Sequence, residues 1–269
     1  MRLILSRKGF DSAAGGGPSP ILPDGSLLSL PIPEARGSRA YADLQSPYGN
    51  FEKVISDLHG GSRTRPGRAH FDPDLYANTC PRPKGWVPAF GQDSAAATHL
   101  DNQGVAEGDL FVFFGWFRQT EQVGGRLRFI DSVPDLHVCF GWLRVGTVLR
   151  TPVPGLEEHP HFISKRYAAN SRVYAAPSRA DGGVFRRFER KLQLTSAGSA
   201  SRSHWELPSC FWPGTRRTPL SYHARSDRWQ RSNGHCLLRA VSRGQEFVLQ
   251  ADEYPGALDW AASLGIPNG

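Results

Sequence analysis

Apolar residues in this chain occur in short runs of strand length, separated by stretches rich in glycine and proline. The run over residues 110–117 (LFVFFGWF) is apolar on both faces, which predicts a strand in the middle of a sheet. Residues 127–130 alternate as a half-buried strand does, and residues 137–149 predict a long strand with a bulge at Gly141. Shorter strands are predicted over residues 2–6, 172–175, 192–195 and 246–250, and a hairpin over residues 21–32.

Helical periodicity is confined to a few segments. Apolar residues recur three and four positions apart over residues 48–58, which predicts an amphipathic helix. A short helix within residues 92–102 and a closing helix over residues 254–264 are also predicted. The sum is a mixed, sheet-rich α/β (α+β) fold with a central mixed or antiparallel sheet, few helices and long loops. Predicted strands run along most of the chain, so we expect one domain over residues 1–269.

Charge and composition narrow the possible partners. The formal net charge is +7, and only five of the 32 basic residues are lysine. Arginine forks onto phosphate oxygens, so the excess fits phosphate recognition, but a genomic base composition that enriches arginine explains it equally well. Clustered arginines predict a basic face: Arg63, Arg65 and Arg68, then Arg186, Arg187 and Arg190, then Arg216 and Arg217.

Targeting and redox signals point to the cytoplasm. The opening residues 1–5 contain too few apolar residues for a secretory signal, and no apolar run reaches the length of a membrane span. We therefore expect a cytoplasmic protein with no membrane partner. The four cysteines form no CxxC pair, which argues against both a disulfide framework and a cysteine zinc site.

The first candidate site is the segment from Ser6 to Asp11, at the end of the first predicted strand. A glycine loop that includes Gly16 follows it, so backbone amides can approach a ligand, and Arg7 and Lys8 add cationic donors. Asp11 beside these cations suits a general base, a nucleophile or an anchor for a hydroxyl group. The alternative is a surface turn with an ion pair. The segment matches neither the P-loop nor the dinucleotide-binding fingerprint.

The second candidate is Cys80, which lies in an irregular, proline-rich segment near Arg82. Neighbouring arginines lower the pKa of a thiol, and a thiolate is a good nucleophile. The alternative is a small, buried apolar residue, which is how most free cysteines behave. Local sequence slightly favours this alternative.

The third candidate lies within residues 91–104. Its side-chain amides, including Gln92 and Gln103, are groups that can hydrogen-bond to the edge of a nucleobase. His99 and Asp101 form a His-x-Asp pair, which could join a distant histidine in an iron site like that of the 2-oxoglutarate oxygenases. The pair arises often by chance, so we assign no metal ligand and name no cofactor. The candidate third ligands are His137, His159 and His161, and we favour a structural role for the His159-Pro160-His161 loop.

Several segments together resemble a known family. They are residues 3–12 (LILSRKGFDS) with 16–21 (GGPSPI), 108–117 (GDLFVFFGWF), 140–146 (FGWLRVG), 159–161 (HPH) and 243–248 (RGQEFV). On these residues the chain resembles, over nearly its whole length, the third of the nucleotide modification associated domain families of phages and bacteria. The resemblance implies an α/β domain with a role in DNA base modification. It also implies functional aspartate, arginine and cysteine residues, which we place at Asp11, Arg7 and Cys80.

We therefore expect a protein that acts on a nucleotide or a DNA base, with other DNA-modification proteins as further partners. Whether it is an enzyme stays open, because a non-catalytic module that reads modified DNA would share these features. A His-x-Asp iron oxygenase is the less favoured third hypothesis. Asp11, Arg7 and Cys80 are the expected catalytic residues, and the expected substrate contacts are Ser6, Lys8, Gly16, Gln92, His99, Asp101 and Gln103.

Overall fold

A computed structural model describes residues 1–60, 67–163, 170–242 and 244–267 of the chain. Its strands are β1 Arg2–Arg7, β2 Ser19–Ile21, β3 Arg39–Ala40, β4 Gln45–Ser46, β5 Gly49–Asn50, β6 Arg68–Ala69, β7 Ala89–Gln92, β8 Leu110–Val123, β9 Arg126–Phe129, β10 Leu136–Arg144, β11 Thr147–Leu149, β12 Arg172–Ala175, β13 Gly182–Val184, β14 His204–Pro208, β15 Trp229–Arg231, β16 His235–Arg239 and β17 Glu246–Gln250. Its α-helices are α1 Phe51–His59, α2 Ser94–Asn102, α3 Pro160–Ile163 and α4 Ala257–Ser263.

The central sheet is mixed. Its strands follow the order β13-β10-β8-β1-β17, and β2 and β9 pair with the C-terminal part of β8. β1 runs parallel to β8 and antiparallel to β17, so the first and last strands of the chain are neighbours in one sheet. Two smaller three-stranded sheets have the orders β11-β12-β7 and β14-β16-β15. The prediction of a sheet-rich α/β fold is confirmed.

The apolar character of β8 on both faces places it at the centre. Phe111 and Phe113 lie on one face, where both rings contact Phe90 of β7 at centroid distances of 5.1 and 5.2 Å. Phe114 points to the opposite face and meets Trp205 of β14 edge-on at 4.9 Å. Since successive side chains of a strand alternate between faces, β8 is covered by a smaller sheet on each side. Each buried phenylalanine contributes about 2–3 kcal/mol of transfer free energy.

Two strand predictions needed correction. The run over residues 137–149 is divided between β10 and β11, which belong to different sheets. A Cβ at Gly146, between them, would lie 2.6 Å from Pro177 N, so the chain turns where only glycine fits. Within β10 the register shifts between Cys139 and Gly141, which confirms the predicted bulge. In the segment predicted as a strand over 192–195, Leu192 ends a short 3-10 helix, Arg190–Leu192, and Gln193 and Thr195 form only isolated bridges.

The three predicted helices, α1, α2 and α4, lie within a few residues of their predicted positions, whereas the four-residue helix α3 was not predicted. α1 begins where Asn50 caps it, its side chain accepting a hydrogen bond from the Lys53 amide. The predicted hairpin over residues 21–32 is reduced to a single bridge between Ile21 and Leu27. Arg63 and Arg65 of the predicted basic face lie outside the described residues. No helix in the described part of the chain is both long and apolar enough to cross a membrane.

Candidate functional site

A cleft of about 510 Å³ opens beyond the carboxyl end of β1. Arg7, Lys8 and Asp11 contribute to one wall, and the end of β7 contributes to another together with Ser242, Gly244 and Gln245, which lie shortly before β17. Residues 32–34, the loop at 70–72 and His161 of α3 also line it. The cleft therefore collects residues from six separate parts of the chain, which only the fold brings together.

A buried ion pair stands in the wall of this cleft. The Lys8 ammonium donates to the Glu246 carboxylate at 2.9 Å, and these side chains are only 9% and 1% exposed. The same carboxylate oxygen accepts from Gln92 Nε2 at 2.7 Å and from the hydroxyl of Ser6 at 3.4 Å. Gln245 extends the network, because its Oε1 accepts from Lys8 at 3.3 Å and from Gln92 at 3.2 Å. Charge and amide groups in this wall are thus held in defined orientations.

The guanidinium of Arg7 makes most of its contacts with other groups of the protein. Its two terminal nitrogens donate to the Val241 and Ser242 carbonyls at 2.7 and 2.9 Å. The guanidinium lies near both the Phe114 and the Phe247 ring, 5.8 and 5.7 Å from their centroids. Burial lowers the pKa of Arg7, although the charge of Asp11 acts in the opposite direction. Arg7 therefore fixes the chain before β17 as well as lining the cleft.

Asp11 closes a turn at the mouth of the cleft. Its Oδ1 accepts from the Ala13 and Ala14 amides at 2.7 and 2.6 Å, the pattern of an Asx turn. The Gly16 amide donates to the Asp11 carbonyl at 2.7 Å. The glycine loop is thus folded back on Asp11, and the carboxylate is held in place at the cleft.

Deeper in the cleft, three buried side chains cluster with the chemistry of a metal site. One ligand atom each from His70, Asp72 and His161 lies within 4.8 Å of the others. His70 Nε2 is 3.9 Å from Asp72 Oδ2, and the His70 and His161 rings meet edge-on at a centroid distance of 5.1 Å. These residues come from the loop between β6 and β7 and from α3. The cluster consists of two imidazoles and one carboxylate.

A second layer of contacts orients this cluster. Nδ1 of His70 is 3.0 Å from the Glu34 carboxylate, and Nδ1 of His161 is 2.9 Å from the Ser171 hydroxyl. Asp72 Oδ1 accepts from the Gly91 amide at 2.7 Å. A Cβ on Gly91 would lie 2.2 Å from the His161 ring, so this position needs glycine if the ring is to stand where it does.

The surroundings lower the pKa values of Asp72 and His161, so that these two side chains differ in charge at neutral pH. Burial would raise the pKa of Asp72, but contact with His159 and the nearby imidazoles outweigh burial and lower that pKa to about 2. His159 Nε2 lies 3.3 Å from Asp72 Oδ1, close enough for an electrostatic contact but not aligned as a hydrogen bond. Burial lowers the pKa of His161 to about 3, against the opposing charge of Asp72. At neutral pH the carboxylate is ionised and this imidazole is neutral.

Cys80 lies away from these groups. It is buried in a hydrophobic cluster with Phe51 and Phe71, and it is not among the described residues that line the cleft. Burial raises the pKa of its thiol, although the charge of Arg82 opposes the shift. Arg82 is bound to Asp74, with a shortest nitrogen–oxygen distance of 2.6 Å. The arginine that suggested an activated thiol is therefore neutralised by a carboxylate.

The predicted His-x-Asp pair also has other partners. Asp101 binds Arg172 at 2.8 Å, and His99 contacts the Ser221 hydroxyl at 3.1 Å. Burial lowers the pKa of His99, with Glu246 acting against the shift. The Gln103 carbonyl accepts from Arg2 Nε. Thus Ser6, Arg7, Lys8, Asp11, Gly16 and Gln92 are brought to or near the cleft, whereas Cys80, His99, Asp101 and Gln103 are not among the described residues that line it.

The sequence contained a signal for the buried cluster that our interpretation passed over. His70-Phe71-Asp72 has the same His-x-Asp spacing as His99-Leu100-Asp101, and His161 was already a candidate third ligand. Spacing alone cannot distinguish the two pairs, because only the fold shows which of them faces His161. Glu246 was also missed, since a glutamate inside a predicted strand gave no sign of its partner Lys8.

Comparison with known proteins agrees with the resemblance seen in the sequence. The family model described as nucleotide modification associated domain 3 matches residues 2–250, which include every cleft residue named above. No curated protein and no solved structure matches the chain significantly.

Proposed function

Because the chain belongs to the nucleotide modification associated domain 3 family, we propose that it acts on a nucleotide or a nucleobase of DNA bound in the cleft. The observation that carries this proposal is the network of Lys8, Glu246, Gln92 and Gln245. It presents fixed hydrogen-bonding groups to a cavity beside titratable side chains. A cavity of about 510 Å³ also falls within the range of small-molecule sites, about 300–1,000 Å³.

The network suits the edge of a base better than a phosphate group. Lys8 and Arg7 already bind acceptors within the protein, whereas the amide of the exposed Gln245 lies at the cleft. Amide groups can both donate and accept, as recognition of a base edge requires. A base within duplex DNA would have to leave the stack to enter such a site. In this proposal Gln245 contacts the base, and Gln92 holds Gln245 in place through the hydrogen bond to its Oε1.

Asp11 is the group that we propose for proton transfer or for holding a hydroxyl group. Its turn fixes one carboxylate oxygen, and its side chain lines the cleft. Cys80 is left out of the proposed machinery, because its thiol is buried in an apolar cluster and burial raises its pKa. The proposal therefore retains two of the three residues first placed at the site, Asp11 and Arg7.

The test is to express the chain in a bacterial host and to analyse the nucleosides of its DNA and of its nucleotide pool by mass spectrometry. Expression in cells supplies co-substrates of unknown identity. We expect a nucleoside of new mass that Asp11→Asn abolishes or reduces at least about 100-fold, the lower end of what an acid–base group contributes. Asparagine can keep the turn, because it retains the oxygen that accepts from Ala13 and Ala14.

Asp24→Asn is the matched control, since Asp24 is exposed and its Oδ1 accepts from the Ser26 amide in a similar turn away from the cleft. It should leave the product unchanged. Binding of nucleotides or DNA without any new nucleoside would favour the non-catalytic reader instead. If no new nucleoside forms and no nucleotide or DNA binds at low salt, both versions of the proposal are refuted.

A further inference from the structure

The cluster at the bottom of the cleft has the composition of a transition-metal site. His70, Asp72 and His161 are 8%, 9% and 4% exposed, and one ligand atom from each lies within 4.8 Å of the others. Two imidazoles and one carboxylate form a donor set found in iron and zinc enzymes, where it leaves coordination positions open. We propose that these three residues bind one divalent transition-metal ion.

The three ligand atoms lie near the spacing that a shared ion requires, all within 4.8 Å of one another. Ligand atoms that share a tetrahedral ion with bonds of about 2.1 Å lie roughly 3.4 Å apart. His70 Nε2 and Asp72 Oδ2 are 3.9 Å apart, so the two side chains need to approach by about half an ångström. Gly91 supports this approach, because its lack of a side chain leaves room for the His161 ring while its amide holds Asp72.

The surrounding contacts are those that orient metal ligands. A metal-binding histidine usually donates a hydrogen bond from its other ring nitrogen to a carboxylate, a backbone carbonyl or water, which fixes the ring and its tautomer. The Glu34 carboxylate occupies this position, 3.0 Å from Nδ1 of His70. The Ser171 hydroxyl lies in the corresponding position, 2.9 Å from Nδ1 of His161. In both rings the nitrogen so held is Nδ1, which directs Nε2 to metal coordination.

A divalent ion at these three residues would offset the charge of Asp72 and offer an electrophilic centre to a bound oxygen atom. A catalytic role for the ion rests on the proposed function, whereas binding of the ion does not.

The test uses full-length protein without a histidine tag, stripped with EDTA and titrated with Co²⁺, and then with Zn²⁺ as competitor. We expect one tightly bound ion per chain, with visible absorption from Co²⁺ that Zn²⁺ displaces. Asp72→Asn and His161→Gln should each weaken binding more than about 100-fold. Glu34→Gln and Ser171→Ala, which disturb only the outer contacts, should weaken it about 10- to 100-fold.

The control is the double variant His99→Gln/Asp101→Asn, which removes the other His-x-Asp pair and should bind Co²⁺ as the unaltered chain does. Thermal melting in EDTA verifies that each variant is folded. If Asp72→Asn unfolds, Ser171→Ala decides the question, because it truncates only a hydroxyl group. No Co²⁺ binding, or binding that Asp72→Asn and Ser171→Ala leave unchanged, would overturn the proposal. Metal binding without any modified nucleoside would support the metal site and would count only against the proposed function.

Discussion

Replacement of Lys8 by methionine should destabilise the protein strongly, because Lys8 neutralises a carboxylate that is almost completely buried. Glu246 is 1% exposed and receives the Lys8 ammonium at 2.9 Å. Methionine fills a similar volume but leaves that charge without its cation. Loss of one partner from a buried pair costs about 3–5 kcal/mol, mostly through the unpaired charge that stays behind.

Glu246→Gln should reverse much of this loss in the Lys8→Met background. Glutamine is uncharged and keeps an oxygen that can accept from Gln92, now 2.7 Å from the carboxylate. The double variant should therefore recover about 2 kcal/mol or more relative to Lys8→Met, the scale of coupling expected between contacting groups. Lys53→Met is the control, since Lys53 and its partner Asp57 form a more exposed pair that contributes about 0.5 kcal/mol or less.

Urea denaturation followed by tryptophan fluorescence measures the free energy of unfolding of all four variants. The coupling between Lys8 and Glu246 follows from the two single variants and the double variant. If Lys8→Met costs no more than Lys53→Met, or if the losses of the two single variants simply add in the double, the buried pair is not what fixes Lys8. Lys8 would then be available to a phosphate group.

Three further predictions concern other parts of the molecule. Gly91→Ala should cost about 1–3 kcal/mol in urea denaturation and displace the ring of His161, because the added methyl would lie 2.2 Å from that ring; unchanged stability and Co²⁺ binding would contradict this. Cys80 should react more slowly with iodoacetamide at pH 7.5 in the folded chain than in urea, as peptide mass spectrometry can show, because burial raises its pKa; equal rates would restore it as a candidate nucleophile. Burial lowers the pKa of His223 from 6.5 to about 4. Its neutral form therefore stabilises the fold fully above pH 6.5, and roughly 3 kcal/mol is lost as the pH falls to about 4. His223→Gln should flatten this dependence, and an unchanged slope would refute the assignment.

Several elements could be predicted from local sequence because their signals are local. The apolar faces of β8 follow from residues 110–117 alone, and the bulge at Gly141 from a glycine within an apolar run. The helix α1 follows from apolar residues at helical spacing. The end of β10 was not predictable, because it depends on Pro177, 31 positions after Gly146 in the chain.

The same distinction applies to the candidate site. The sequence by itself determined the family, the sheet-rich fold and the position of residues 6–11 at the end of a strand. Only the tertiary structure decided that Lys8 binds Glu246, 238 positions away, and that His70 and Asp72, not His99 and Asp101, meet His161. The physical reason is that periodicity and turn chemistry act between near neighbours. Burial, ion pairing and metal coordination act between atoms that strand pairing brings together, whatever their separation along the chain.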